Sequence, residues 1–145
     1  MKIGDSLPEF NLKNQEGHLI SSADLKGRNP LVIYFYPKNF TPGCNREACG
    51  FRDSFEEFSA KGAQVIGISA DCVASHQKFA THYKLPFILL SDYKNEVRKL
   101  FGVKSNLLGI LPGRETFVFN KEGNLTFKFK SMGADAHIVE ALKHI

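Results

Sequence analysis

Leu31-Val32-Ile33-Tyr34-Phe35-Tyr36 and Gln64-Val65-Ile66-Gly67-Ile68-Ser69 are the two runs that decide the fold. Each is apolar and rich in β-branched and aromatic residues, without polar alternation, as expected of strands buried on both faces. Between them apolar residues recur at Cys44, Ala48, Phe51, Phe55 and Phe58. Steps of four and three keep these positions on one helical face, so the spacing predicts a single helix through Phe58. Buried strand, helix, buried strand is a βαβ unit, whose crossover is right-handed.

The flanking sequence extends this unit in both directions. Upstream, Phe10-Asn11-Leu12-Lys13 alternates, Asn14-Gln15-Glu16-Gly17 reads as a turn, and His18-Leu19-Ile20 returns, which predicts an N-terminal β-hairpin. Downstream come an amphipathic helix near Ala74 to Tyr83, an apolar run from Phe87 to Leu90, and a short helix near Glu96 to Phe101. Thr116 to Phe119 reads as a strand that Asn120-Lys121-Glu122-Gly123 turns back into Leu125 to Phe129, an antiparallel hairpin. A last helix spans Ala134 to His144. A β-α-β half followed by a β-β-α half is the order of a thioredoxin-like α/β fold, a central mixed sheet flanked by helices.

Length and composition agree with that architecture. The 145 residues, 43% of them hydrophobic, fit one domain spanning 1–145, with no repeat, low-complexity tract or linker. A chain of this size buries about 68% of its unfolded surface, enough to fold without disulfide staples or a structural metal. The longest apolar runs fall far short of the ~20 residues that span a bilayer, and Met1-Lys2-Ile3-Gly4-Asp5 shows no secretory pattern. A cytoplasmic location is the expectation. Nineteen Lys and Arg against fifteen Asp and Glu give +4, with the charges interspersed along the chain. No basic stripe marks a nucleic-acid surface. Three cysteines are too few for a disulfide scaffold, and a reducing compartment keeps them free unless they are catalytic.

Two of the three, Cys44 and Cys49, sit where the first buried strand turns into the helix. Thr41 followed by Pro42 reads as an N-cap and first helical residue, which places Cys44 in the first turn. Unpaired backbone N–H groups and the helix dipole there favour an anion and turn a thiol towards thiolate. The bland alternative is a small apolar side chain on the inner helix face. A cysteine hydrolase would need a histidine base, and none of His18, His76, His82, His137 and His144 carries a local signature linking it to Cys44. Zinc is disfavoured by the spacing and by the lack of a second ligand pair. A thioredoxin-type oxidoreductase would need C-x-x-C, whereas four residues separate Cys44 and Cys49 here. Thiol redox chemistry remains.

Pro37-x-x-x-Thr41-x-x-Cys44 resembles the active-site motif of the peroxiredoxins. Tyr34 to Lys38, Thr41 to Cys44, Glu47-Ala48-Cys49 and Phe51-Arg52-Asp53 resemble the peroxiredoxin Q or bacterioferritin comigratory protein subfamily. The similarity continues through Val65 to Ser69, Ser75-His76, Leu89 to Asp92 and Leu111 to Val118, nearly the whole chain. The resemblance implies a thioredoxin-like fold and a thiol-dependent peroxidase acting on hydrogen peroxide and organic hydroperoxides. By it Cys44 is the peroxidatic cysteine, Cys49 the resolving one, and Pro37, Thr41 and Arg114 complete the site. It also implies thioredoxin or another thiol donor as reductant, a monomer, and no metal, flavin or haem. Glu47 either complements the helix N-terminus or, as the family implies, orients the arginine. Asn39 and Asn45 stand where the family often has Asp and Thr, and are expected to flank the site without supplying its chemical groups. Cys72 reads as a bystander and His76 as structural. A thiol–disulfide oxidoreductase of the same fold and a redox-sensing binding protein stay open as alternatives.

A magnitude shows why the flanking groups matter. A thiol of pKa ~8.5 is roughly 3% thiolate at pH 7, and lowering it to ~6 gives about 90%, a gain near thirtyfold. Nucleophilicity falls with pKa along a slope of ~0.4–0.5, which returns about tenfold of that gain. Ionisation alone therefore nets a factor of ~3. The remaining acceleration must come from preorganised donors that hold the peroxide in line and stabilise the breaking O–O bond. The Thr41 hydroxyl, the Arg114 guanidinium and the Cys44 backbone N–H are the candidates.

Overall fold

The computed structural model describes residues 1–104 and 113–145. The two buried runs form β3 (Leu31–Phe35) and β4 (Gln64–Ser69), paired in parallel with Tyr34 opposite Gly67. They lie at the centre of a seven-stranded sheet built with β1 (Asn11–Asn14), β2 (Leu19–Ser21), β5 (Ile88–Ser91), β6 (Glu115–Phe119) and β7 (Leu125–Lys130). The strand order is β2-β1-β5-β4-β3-β6-β7. β4 also pairs with β5 in parallel, and the remaining neighbouring pairs are antiparallel. This is the mixed sheet of a thioredoxin-like fold, with the N-terminal hairpin β1–β2 added beside β5.

Strand alternation divides the core into two layers. Val32, Tyr34 and Tyr36 point to one face, where they pack with Phe51, Phe58, Phe79, Leu89 and Ile138. That face is covered by α2 (Pro42–Asp53), α3 (Phe55–Ala60), α4 (Val73–Tyr83) and α6 (Asp135–Lys143), which carry Phe51, Phe58, Phe79 and Ile138. Leu31, Ile33 and Phe35 point the other way and pack with Phe101, Phe117 and Phe119, under α5 (Glu96–Phe101). The single turn α1 (Ser22–Leu25) follows β2, its start capped by Ser21 Oγ accepting from Ala23 N–H. No helix among the described residues is long and apolar enough to cross a membrane.

The long helix expected through Phe58 is two helices, broken at Ser54, which leaves helical geometry at φ −99° and ψ 9°. Phe51 and Phe58 are both fully buried on the same layer, so the apolar spacing runs across the break. Periodicity reports which face is apolar and is blind to one backbone residue that leaves the helix. Of the family-like segment Leu111 to Val118, Leu111 and Pro112 lie outside the described residues.

Gly67 is demanded by close approach. A Cβ there would stand 2.8 Å from Tyr34 Cζ and 2.9 Å from Leu89 Cδ2, both in the packed core. Gly67→Ala is expected to lower stability by about 1–3 kcal/mol, the usual cost of overpacking. Urea denaturation reads it, and an unchanged midpoint would mean that the Tyr34 ring moves aside freely.

Candidate active site

The chain leaves β3 through Tyr36, whose ring is buried, and enters α2 through residues 37–41. Asn39 anchors this loop from inside. Its Oδ1 accepts from the Tyr36 hydroxyl (2.6 Å) and its N–H donates to Asp71 Oδ2 (3.0 Å). Its amide nitrogen donates to Ser75 Oγ (3.1 Å) and His76 Nδ1 (2.9 Å). Asn39 therefore does more than flank the site: it holds the loop to α4. His76 is fully buried, its Nε2 donating to Leu90 O (3.0 Å), and burial lowers its pKa. Phe40, between Asn39 and Thr41, has φ +61°, a left-handed conformation that an aromatic residue rarely adopts.

Thr41 is the N-cap residue and Pro42 follows in the first turn of α2. The Thr41 side chain makes no capping bond; its hydroxyl donates instead to Lys38 O (2.9 Å). Pro37 is half-buried on the same loop. Cys44 lies in the first turn of α2 and is 1% exposed. Glu47, three residues on, shares its helix face and is fully buried.

Arg114 comes from the other half of the chain, just before β6, and is also buried. The antiparallel pairing of β6 with β3 brings it back to the start of α2. Its guanidinium spreads three donors. Nη2 reaches Cys44 Sγ (3.3 Å), Nη1 binds Glu47 Oε1, and Nε donates to Met132 O (3.1 Å). Gly43 keeps the path clear, since a Cβ there would stand 3.0 Å from Arg114 Nη2. Burial pushes the Glu47 carboxyl up to about 8, with the Arg114 guanidinium pulling the other way. Burial also works against the charge of Arg114, but Glu47 and Cys44 outweigh it and hold its pKa above the ordinary value. The guanidinium is the permanent charge; any proton the pair carries sits on Glu47.

Cys44, Glu47 and Arg114 thus meet in one buried cluster. Pro37 and Thr41 sit on the adjoining loop. Cys49 is half-buried further along α2, Cys72 is exposed just before α4, and all three thiols are free. Among the described residues no group of three metal-ligating side chains forms.

Two contributors escaped the reading of the sequence. Arg98 on α5 is buried and donates to Gly113 O (2.9 Å) and Tyr36 O (3.0 Å), tying the chain before Arg114 to the end of β3. Its position three residues before the buried Phe101 put it on the apolar helix face, a signal that was there to be read. His137 on α6 is fully buried behind Glu47, at 3.7 Å. It falls between Ala134 and Ala141 at helical spacing, the same kind of signal.

Arg114→Lys is expected to slow peroxide reduction about tenfold or more, although charge is kept, because one ammonium cannot serve sulfur, carboxylate and carbonyl from a planar fork. Stopped-flow oxidation checks this, and a rate within about twofold of the parent would remove Arg114 from the site.

The family model of the AhpC/TSA family matches residues 3–128. Peroxiredoxin Q, chloroplastic, of Sedum lineare is 51% identical over 141 residues, 97% of this chain and 75% of that protein. The Triticum aestivum protein of the same name is 50% identical over 143 residues, 98% of this chain and 65% of its own length. This chain thus spans 65% to 75% of the length of these chloroplastic relatives. The crystal structure of peroxidoxin BcpB from Mycobacterium tuberculosis superposes with a TM-score of 0.90 at 40% identity, covering 99% of this chain and 95% of that one. The chloroplastic names overturn the expectation of a cytoplasmic location. That expectation rested on a missing secretory pattern and a reducing compartment, and neither singles out the cytoplasm. The chain belongs to the AhpC/TSA family, among its peroxiredoxins of the Q type.

Proposed function

We propose that this chain reduces hydrogen peroxide and organic hydroperoxides through Cys44, with Cys49 as resolving thiol and a thioredoxin-type dithiol as reductant. The Cys44 thiolate attacks one peroxide oxygen, which stays on sulfur with its proton as the sulfenic acid; the O–O bond breaks, and the departing hydroxide or alkoxide takes a proton from solvent and leaves as water or an alcohol. The Cys44 sulfenic acid condenses with the Cys49 thiol, releasing water, and the reductant's two thiols return both cysteines to the reduced state.

The observation that carries this reading is the Arg114 guanidinium held by Glu47 and Met132 with its remaining donor on Cys44 Sγ. Such a fork stabilises negative charge on sulfur and stands ready for the charge that develops on the departing oxygen. The Thr41 hydroxyl, which now donates to Lys38 O, becomes a second donor to peroxide if it turns. Pro37 shapes the loop that carries it. We further propose that residues 1–145 act as one domain and as a monomer; in support, Cys44, Cys49, Glu47 and Arg114 all come from one chain. The role is antioxidant defence and redox homeostasis.

The test is NADPH oxidation coupled through thioredoxin reductase and thioredoxin, with hydrogen peroxide and alkyl hydroperoxides. Sustained turnover supports the proposal. A single oxidation without turnover would instead favour a sensor.

A further inference from the structure

His137 has no part in the chemistry described above, yet it is a fully buried ionisable side chain directly behind the Arg114–Glu47 pair. Its Nε2 lies 2.7 Å from Ser131 O. A carbonyl only accepts, so Nε2 carries the proton, and in the neutral ring Nδ1 is a lone pair. Nδ1 lies 2.7 Å from Thr116 Oγ1, which therefore donates to it. Both partners bear on Arg114. Ser131 N–H donates to Arg114 O (3.4 Å), and the next carbonyl, Met132 O, accepts from Arg114 Nε. Thr116 lies two residues beyond Arg114 at the start of β6.

We propose that His137 is a positioning residue for peroxide reduction: from α6 it clamps Ser131 and Thr116, the two segments that aim the Arg114 guanidinium at Cys44. The inference rests on the peroxidase reading of Cys44. Around the ring stand Glu47 from α2, Arg114 and Thr116 from the β6 side, Phe129 from β7 at 4.9 Å between ring centroids, and Ser131. Glu47 Oε2, the oxygen that Arg114 does not use, faces Nδ1 at 3.7 Å and makes no hydrogen bond among the described residues. Burial pushes the His137 pKa down, with Arg114 adding to the effect, which favours the neutral ring and leaves Glu47 to the arginine. A neutral donor–acceptor clamp is what this position requires, and glutamine supplies the same pair of groups.

The test compares His137→Phe, His137→Gln and His137→Asn in two separate half-reactions. One is the rate of oxidation of the reduced chain by hydrogen peroxide; the other is the rate at which thioredoxin reduces the preformed disulfide. His137→Phe is expected to slow oxidation about tenfold or more, since small misplacements of a positioned group cost that much. The thioredoxin step should stay within about twofold, and His137→Gln should recover oxidation to within about threefold of the parent. If His137→Phe does not fold, the Gln and Asn variants decide. The shorter Asn cannot span from Ser131 O to the Thr116 hydroxyl and should be slow where Gln is fast. Parent-like oxidation in the Phe variant, or equal rates for Gln and Asn, would overturn the assignment while leaving Cys44 chemistry intact. A parent chain whose Cys44 ignores peroxide would overturn the peroxidase reading and this inference together.

Discussion

Cys44→Ser is expected to abolish peroxide reduction, by about 10^4-fold or more, while the fold persists. The side chain is 1% exposed within the cluster formed by Ala48, Phe51 and Tyr36, and an oxygen replaces the sulfur with little change in volume. The Arg114 donor that reaches the sulfur finds a hydroxyl in its place, so no buried donor is orphaned. What disappears is the nucleophile, since a hydroxyl is not ionised near neutral pH. Peroxide consumption in the coupled assay and thermal unfolding together check this. Residual turnover above a few per cent with intact folding would move the attack elsewhere, and the exposed Cys72 would be next to test.

Cys49→Ser should leave the first oxidation of Cys44 intact, stall turnover with thioredoxin, and raise overoxidation. The reason lies in α2, which runs Pro42–Asp53 through both cysteines without a break. Five residues along a helix give a rise of ~7.5 Å and a rotation of about 140° past a full turn, so the two Cα atoms lie roughly 8–9 Å apart. A disulfide tolerates ~7 Å at most, and these side chains point to different faces. The proposed Cys44–Cys49 bond therefore requires this segment to unwind. Unwinding must break backbone bonds such as Asn45 N–H to Thr41 O and draw Cys44 away from Arg114. The Arg52 side chain, donating to Tyr83 O (2.8 Å), fastens the far end of α2 to α4. While the helix holds, the sulfenic acid is exposed to a second peroxide and to sulfinic acid. Without Cys49 that exposure has no end, so mass spectrometry should find sulfinic Cys44 accumulating with each added equivalent. An unchanged steady-state rate in Cys49→Ser would show that another thiol resolves.

Much of the fold was legible because β3 and β4 are buried on both faces and write that fact as unbroken apolar runs. The hairpins and α4 to α6 were equally readable from turns and periodicity. The break at Ser54 was not, because Phe51 and Phe58 satisfy one apolar face on either side of it. At the site, residues 37–49 are contiguous, and their meaning could be read from local order and family resemblance. Arg114 came from the resemblance alone, since no local pattern links it to a helix some seventy residues earlier. Glu47 could be read two ways, and its carboxylate is seen to pair with Arg114. The Thr41 hydroxyl bonds the loop behind it rather than capping the helix it precedes. Arg98, His137 and Asn39 work through partners distant in the chain, and such partnerships exist only once the sheet has assembled. For Arg98 and His137 the sequence did carry a helical position among buried residues, a warning that a polar group would need satisfying inside.

The claim that Cys44 and Cys49 join within one chain is tested most directly by mapping the disulfide after one equivalent of peroxide. Trypsin separates the three thiols, because cleavage after Lys38, Arg46, Arg52, Lys61 and Lys78 places Cys44, Cys49 and Cys72 on peptides 39–46, 47–52 and 62–78. Non-reducing mass spectrometry should find 39–46 joined to 47–52 in a protein that remains a single chain, with Cys72 still open to alkylation. Peptide 39–46 joined to 62–78, or Cys44 linking two chains, would contradict the account.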